Sequence, residues 1–384
     1  MNKKIKNVPL KILIMHHGGE SLLGSERSLL ALLDGLNKQY FTISLLCNSK
    51  TLEQEALKRG FNVINFRFPQ ITIEGKETRL EFVQYFIQLV KLYCIAKRLR
   101  PDIIYSNSGL PTQIGYPVAK ALNLPILTHI RASHSLRYPW MWLFKFSDVV
   151  VFVSRTIMFE LTNKVNFSGK IKVVYNGIDI KNHFPPPHTK NNTLRKSLGI
   201  SARDIVIGQV GSLISRKGGD ILIRAFIKVF QKRKNIFLVF IGKGEKHQEW
   251  NNLACEFGVT DKIIFLGEQS EVAAFYNNLI DINVNSSRSE AFGRTLIEAS
   301  ACGLPSVGSR TGGIQEIIVD GETGYLFKED NSDDLANKLM RLIDNAKLRN
   351  TMGQNAMKRT NELFSLDKYI ESMTTILQDT AQWE

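Results

Sequence analysis

Short apolar runs alternate with amphipathic stretches along nearly the whole chain, and the pattern stops once and restarts. Leu10–Met15, Phe41–Cys47, Asn62–Phe66, Asp102–Ser106, Pro125–Ile130, Val149–Val153 and Lys172–Tyr175 read as strands. Helical periodicity runs over Ser25–Leu36, Leu52–Arg59, Arg79–Leu99, Pro111–Leu122, Trp140–Phe146 and Arg155–Thr162. The break is Phe184-Pro-Pro-Pro-His-Thr-Lys-Asn-Asn-Thr193, rich in proline and polar residues. Beyond it, strands at Ile205–Val210, Ile236–Ile241, Ile263–Leu266, Ile282–Val284, Ser306–Gly308 and Gly324–Phe327 alternate with helices at Gly219–Phe230, Gln248–Phe257, Val272–Asn277, Thr295–Ala301, Ile314–Ile317 and Leu335–Ile343. Such repetition predicts an α/β protein with a doubly wound parallel sheet in each half, covered by helices on both faces. A chain of 384 residues also exceeds one ordinary core. The predicted division is a domain over 1–187, a linker over 188–203 and a second domain from 204.

Composition narrows the class. Hydrophobic content of 43% and charged content of 22% suit a soluble globular chain. No apolar run approaches a membrane span and no secretory leader is visible, which predicts a cytoplasmic protein. Cys47, Cys94, Cys255 and Cys302 are scattered, without metal-ligand spacing, and read as free thiols in a reducing compartment. The charge is lopsided. Residues 1–187 hold 25 Lys and Arg against 12 Asp and Glu, while 188–384 hold 25 against 24. Such a field favours an anionic partner for the first half, whether membrane surface, nucleic acid or phosphorylated substrate. No RNA-recognition, helix-turn-helix or zinc-finger pattern accompanies it, so nucleic acid is not the expected partner.

The densest chemistry lies in Ser287-Arg-Ser-Glu-Ala-Phe-Gly-Arg-Thr-Leu-Ile-Glu-Ala-Ser-Ala-Cys-Gly-Leu-Pro305. Glu290 and Glu298 flank a Phe292-Gly293 turn that opens a helix. A helix N-terminus offers unpaired N–H groups and partial positive charge to an anion such as phosphate. Carboxylates on either side can accept hydrogen bonds from hydroxyls. Phosphates between two sets of hydroxyls describe a nucleotide-sugar. Gly208-Gln-Val-Gly-Ser-Leu-Ile-Ser-Arg-Lys-Gly-Gly-Asp220 places Arg216 and Lys217 in a loop after a strand, a pair suited to a diphosphate.

Other segments stay open between roles. His16-His-Gly-Gly-Glu-Ser-Leu-Leu-Gly-Ser-Glu-Arg27 is an ordinary glycine-bearing turn or a substrate contact. Asp102-Ile-Ile-Tyr-Ser-Asn-Ser108 and Thr128-His-Ile-Arg-Ala-Ser-His134 end strands where a ligand site belongs, though a lone His129 or His134 is more often structural. Asn176-Gly-Ile-Asp179 is first a turn, and Glu316 after Thr311-Gly-Gly is a favoured first-turn acid. Trp140–Phe146 and the helix ending at Arg100 mix aromatic, aliphatic and cationic residues, as either a core face or a membrane interface.

Ser289 to Pro305 resembles the signature of retaining, Leloir-type glycosyltransferases of family 4 (group 1), with the GT-B fold. Their paired glutamates sit seven residues apart in between, as Glu290 and Glu298 do. Gly24-Ser-Glu-Arg27, Asn107-Ser108, Val174-Tyr-Asn-Gly-Ile-Asp179, Lys217-Gly-Gly-Asp220, Gly242-Lys-Gly-Glu245, Phe265-Leu-Gly267, Thr311-Gly-Gly-Ile-Gln-Glu316 and Gly321-Glu-Thr-Gly-Tyr325 extend the likeness over nearly the whole chain. The resemblance implies two Rossmann-like domains facing across a cleft, with donor binding over 204–360 and a helix within 361–384 that crosses back to the first domain. It implies catalytic roles for Glu290, Arg216 and Lys217, with His129 and Arg131 as candidates. Donor contacts would come from Gly24, Ser212, Arg216, Lys217, Gly242, Glu290, Ala291, Phe292, Gly293, Thr295 and Glu298, and acceptor contacts from Gly19, Asn107, His129, Arg131 and His134.

Two positions depart from the family pattern: Ser212 stands where many relatives carry Arg, and Arg131 where many carry His. The chain has no Asp-x-Asp tripeptide, so no essential metal is expected, and no cofactor beyond the nucleotide-diphosphate sugar as co-substrate. The expected reaction moves a sugar to a hydroxyl acceptor, a saccharide or lipid-linked saccharide of surface polysaccharide assembly (lipopolysaccharide or capsule), with peripheral attachment at the inner face of the plasma membrane. The rivals are a nucleotide-sugar 2-epimerase of the same fold and a basic nucleic-acid-binding protein.

Overall fold

A computed structural model describes residues 8–20, 22–69, 71–74, 77–132, 143–184 and 192–382. The chain forms two compact units, one of Met1–Gly177 with Leu366–Glu384 and one of Ile178–Ser365. The first boundary thus falls after Gly177, ahead of residue 187.

In the first unit the order is β1 (Leu10–His16), α1 (Gly24–Gly35), β2 (Phe41–Cys47), α2 (Lys50–Lys58), β3 (Asn62–Asn65), β4 (Ile71–Glu74), β5 (Glu77–Leu80), α3 (Phe82–Leu99), β6 (Ile103–Ser106), α4 (Gly109–Ala121), β7 (Ile126–Ile130), β8 (Val149–Phe152), α5 (Arg155–Thr162) and β9 (Lys170–Val173). Seven strands form one sheet in the order β3-β2-β1-β6-β7-β8-β9, every pair parallel. Strands covered on both faces must be apolar throughout, and Ile12–Met15 and Val149–Phe152 are buried without alternation. Helix starts follow local capping: Ser49 accepts from the Leu52 amide and Ser154 from the Ile157 amide, each at 3.3 Å.

The antiparallel β4–β5 pair stands apart from the main sheet, so the helix expected from Arg79 begins at Phe82. Of the helix expected over Trp140–Phe146, residues 140–142 lie outside the described residues and Phe144–Phe146 is a 3₁₀ turn.

The second unit runs α6 (Ile180–His183), α7 (Thr193–Ser197), β10 (Ile205–Val210), α8 (Gly219–Lys232), β11 (Ile236–Ile241), α9 (His247–Glu256), β12 (Ile263–Phe265), α10 (Val272–Asn278), β13 (Ile282–Asn285), α11 (Arg294–Ala301), β14 (Ser306–Ser309), α12 (Ile314–Ile317), β15 (Gly324–Phe327), α13 (Ser332–Ile343) and α14 (Ala346–Leu363). Its sheet has six parallel strands in the order β12-β11-β10-β13-β14-β15. Phe226, Phe240, Trp250 and Leu339 fill the core between sheet and helices. The chain then returns to the first unit as α15 (Leu366–Ala381), whose Tyr369, Met373 and Leu377 join that unit's core beside Leu29, Leu33 and Tyr105.

In both sheets the strand order reverses once, between β1 and β6 and between β10 and β13. At such a reversal the flanking loops diverge to opposite faces and leave a crevice at the carboxyl ends of the strands. The loops after these four strands are where a ligand site is to be sought. Among the described residues no helix is long and apolar enough to cross a membrane.

Candidate functional site

In the second unit the loops after β10 and β13 meet. The Arg216–Lys217 turn is stitched to the second loop by backbone and side chain: the Arg288 amide donates to the Arg216 carbonyl at 2.8 Å, and Ser286 Oγ lies 2.8 Å from the Gly218 carbonyl. Arg288 adds a fork onto Asp220 at 2.7 and 3.0 Å, a further bond to Asp330 at 2.7 Å and one to the Ser215 carbonyl at 2.8 Å. Neither Arg288 nor Asp220 stood out in the sequence as part of the site, because their pairing appears only when the two loops are brought together.

That stitching sets Lys217 Nζ against Glu290 Oε2. Arg216 Nη1 lies 4.0 Å from the same carboxylate oxygen and donates to the Ser289 carbonyl at 2.7 Å. Burial pushes the Glu290 carboxyl up, yet Lys217 and then Arg216 outweigh it and hold its pKa below the ordinary value. Glu290 is therefore an anion at neutral pH, in contact with the two cations nearest it.

Gly293, with φ of +110°, caps α11 and offers no side chain, and the first turn of α11 carries no acid. With no acid to offset it, the partial positive charge of its leading amides stands in the segment that begins at Glu290. Glu298, one turn in, accepts from Arg294 Nε at 2.8 Å and is nearly buried. The Phe292 ring is buried and meets Phe364 edge-on at 5.7 Å, so Ala291, Phe292 and Gly293 can meet a ligand through backbone. The Thr295 carbonyl accepts from buried Tyr276 at 3.2 Å. The loop is braced from behind by Gly312-Gly313: the Gly313 amide donates to the Glu290 carbonyl at 3.1 Å, and a Cβ on Gly312 would lie 1.8 Å from that oxygen. Gly211, followed by Ser212, closes the β10 loop onto Gly242: the Gly211 amide donates to the Ile241 carbonyl at 2.9 Å.

In the first unit the loops after β1 and β6 also meet, and here the polar groups face inward. Arg131 donates from Nε to Asn107 Oδ1, from Nη1 to Asn176 Oδ1 at 2.8 Å, and from Nη2 to the hydroxyls of Tyr369 at 2.8 Å and Tyr105 at 3.3 Å. Arginine only donates, so it fixes the Asn107 oxygen toward itself and turns the amide nitrogen to His16 Nδ1 at 2.8 Å. His16 Nδ1 must then accept, leaving its Nε2–H to donate to Glu26 Oε1 at 2.9 Å. One cation thereby sets the tautomer of a histidine two bonds away.

His129 is wholly buried, with Nδ1 2.9 Å from Tyr105 Oη and no partner for Nε2. Burial, then Arg131, holds its pKa well below the ordinary value, so it is neutral. The imidazole of His129 and the amide of Asn107 are buried, and both take part in the hydrogen-bond network around Arg131 and Tyr105. Arg131 spends its guanidinium on oxygens within the unit. Gly19 and Gly24 remain exposed at the loop and at the start of α1. His134 lies outside the described residues.

Residues 190–359 match the family described as Glycosyl transferases group 1, and residues 23–182 match Glycosyltransferase Family 4. The chain belongs to this family of glycosyltransferases. Two curated relatives span most of it. The glycosyltransferase is 28% identical over 327 residues to N-acetyl-alpha-D-glucosaminyl L-malate synthase of Bacillus anthracis, covering 82% of this chain and 84% of that one. It is 27% identical to the capsular polysaccharide biosynthesis glycosyltransferase CapM of Staphylococcus aureus, covering 72% and 76%. Its fold is GT-B: Anabaena HepE, solved in complex with UDP and glucose, superimposes with a TM-score of 0.83 at 21% identity over 96% of this chain and 99% of that one.

Proposed function

We propose that this glycosyltransferase moves a sugar from a nucleotide-diphosphate donor to a hydroxyl acceptor, with retention at the anomeric carbon and without an essential metal. The observation that carries the reading is the Glu290, Lys217 and Arg216 cluster just ahead of α11, whose N-cap Gly293 supplies no side-chain cap. The charge that develops in the reaction is on the departing diphosphate. Two cations held beside Glu290, with the start of α11 following in the same segment, would stabilise it with little reorganisation. Glu290 would turn from Lys217 to the hydroxyls of the donor sugar, and Glu298 would hold the ribose. The donor thus belongs to the second unit and the acceptor to the first.

The acceptor is a saccharide or lipid-linked saccharide of surface polysaccharide assembly, met at an anionic membrane surface on the cytoplasmic side. The capsular role of CapM and the excess of positive charge in residues 1–187 support it. The test is a thermal-shift series with UDP-, GDP- and ADP-sugars, with and without chelator, followed by NMR of the anomeric proton of the product. Stabilisation by one donor class, unaffected by chelator, and a product of unchanged anomeric configuration are expected. A chelator-abolished turnover or an inverted product would overturn the corresponding part.

A further inference from the structure

Five large apolar side chains of α3 stand in solvent. Phe82, Val83, Phe86, Ile87 and Val90 are 52%, 74%, 64%, 52% and 63% exposed. Their spacing places them together on one face over the first turns of the helix. The other side of α3 is occupied: Leu92, Ile95 and Ala96 are buried, and Tyr85 donates to the Gln113 carbonyl of α4 at 2.8 Å. The helix is therefore pinned to its unit along one side and bare along the other. At roughly 500 Å², from side chains of about 150–200 Å² each, the bare stripe is as large as the largest apolar patch of an ordinary monomer, a size that is often functional.

The next turns change character. Lys91, Lys97, Arg98 and Arg100 are all exposed, and among the described residues no carboxylate pairs with them. The exposed side thus passes from apolar side chains to cations along one helix, with no acid in α3 between them. An apolar face that ends in cations with no carboxylate partner matches hydrocarbon bordered by anionic headgroups. A second copy of the chain fits less well, because it would bring two surfaces of the same positive sign together.

We propose that α3 docks the enzyme on an anionic bilayer, with Phe82, Val83, Phe86, Ile87 and Val90 in the acyl boundary and the four cations on headgroup phosphates. The inference deepens the membrane part of the proposed function, and it does not depend on the donor chemistry. Co-sedimentation with vesicles of phosphatidylcholine, with or without phosphatidylglycerol, tests it on the full chain. Wild-type protein should partition onto the phosphatidylglycerol vesicles and release at high salt. Phe86→Ser/Ile87→Ser and Lys97→Glu/Arg98→Glu should each lower that partitioning by about tenfold or more. Because these side chains are exposed, melting temperature and donor binding in vesicle-free buffer should stay at wild-type values. Equal partitioning of variants and wild type, indifference of the wild type to lipid charge, or a solution dimer abolished by Phe86→Ser/Ile87→Ser would each overturn the docking. Vesicle binding without any nucleotide-sugar binding would support the docking and count against the donor reading alone.

Discussion

Replacing Lys217 by alanine separates two effects that the structure ties to one contact. Glu290 loses its nearest cation and keeps only Arg216 at 4.0 Å and the Ser287 hydroxyl at 3.4 Å. Breaking a fully buried ion pair costs about 3–5 kcal/mol. Side-chain exposures of 16% and 13% reduce this, and the donor-free variant should lose about 2 kcal/mol, or about 4–8 °C in the melting of a unit this size. The loss should depend on pH with a definite sign. In the wild type the Glu290 pKa lies below its ordinary value of 4.5, so the carboxylate stabilises the fold above that pH and the contribution fades as pH falls through the folded value. In Lys217→Ala burial gains weight, the carboxyl pKa rises, and the cost grows as pH rises through it. The melting gap between the two proteins should be wide at neutral pH and close in acid. Lys217→Ala/Glu290→Gln should recover most of the stability, because no charge is left stranded. Donor affinity should fall by about 10- to 150-fold in either variant, the worth of one charge-assisted hydrogen bond to the diphosphate. Calorimetric melts across pH and titration with the stabilising nucleotide-sugar read both. A gap that stays constant with pH, together with wild-type donor affinity, would refute the assignment of Lys217 and Glu290 as one electrostatic unit at the donor seat.

Gly312→Ala drives a Cβ into the Glu290 carbonyl from a backbone at φ +48° and should cost about 2–3 kcal/mol, while donor affinity drops because the loop must shift; thermal melts and donor titration measure both. Arg131→Met leaves Asn107, Asn176 and two tyrosine hydroxyls short of a donor and should cost about 3 kcal/mol, with early protease cleavage of the α15 segment and little change in donor affinity. Thiol titration of the native protein should count two fast groups, exposed Cys94 and Cys255; Cys47 and Cys302, pushed up to about 11 and about 12 mainly by burial, should react only on unfolding.

The legible parts of this fold are those whose signal is local. Ile205–Val210 and Ile236–Ile241 begin and end as strands where the apolar run does, since a strand covered on both faces leaves no ambiguity of period. β4–β5 gives no strand signal, because its Ile-Thr-Ile-Glu and Glu-Thr-Arg-Leu segments are short and polar, and the helical period expected from Arg79 overlaps the end of β5. The 18-residue α14 was not anticipated either. Its buried side is Met352, Gly353, Ala356 and Thr360, which leaves almost no apolar stripe, and Gly353 lets it approach the Gly303 carbonyl closely. The meeting of Glu290 with Arg216 and Lys217 was legible because Glu290 and Glu298 share one short segment and Arg216-Lys217 another. The Arg131 network was not. Its partners lie 24, 26, 45 and 238 residues away, and nothing local marks them as one group.

The return of α15 has a consequence for biogenesis. The sheet of the first unit is complete in the chain by Val173, yet its core lacks Tyr369, Met373 and Leu377 until Leu366–Ala381 has been translated. The second unit, contiguous from Ile178 to Ser365, can close on the ribosome while the earlier-made half still waits for its last helix. Order of synthesis and order of completion are thus inverted, and a nascent chain stalled before Leu366 would carry a finished C-terminal half behind an open N-terminal one.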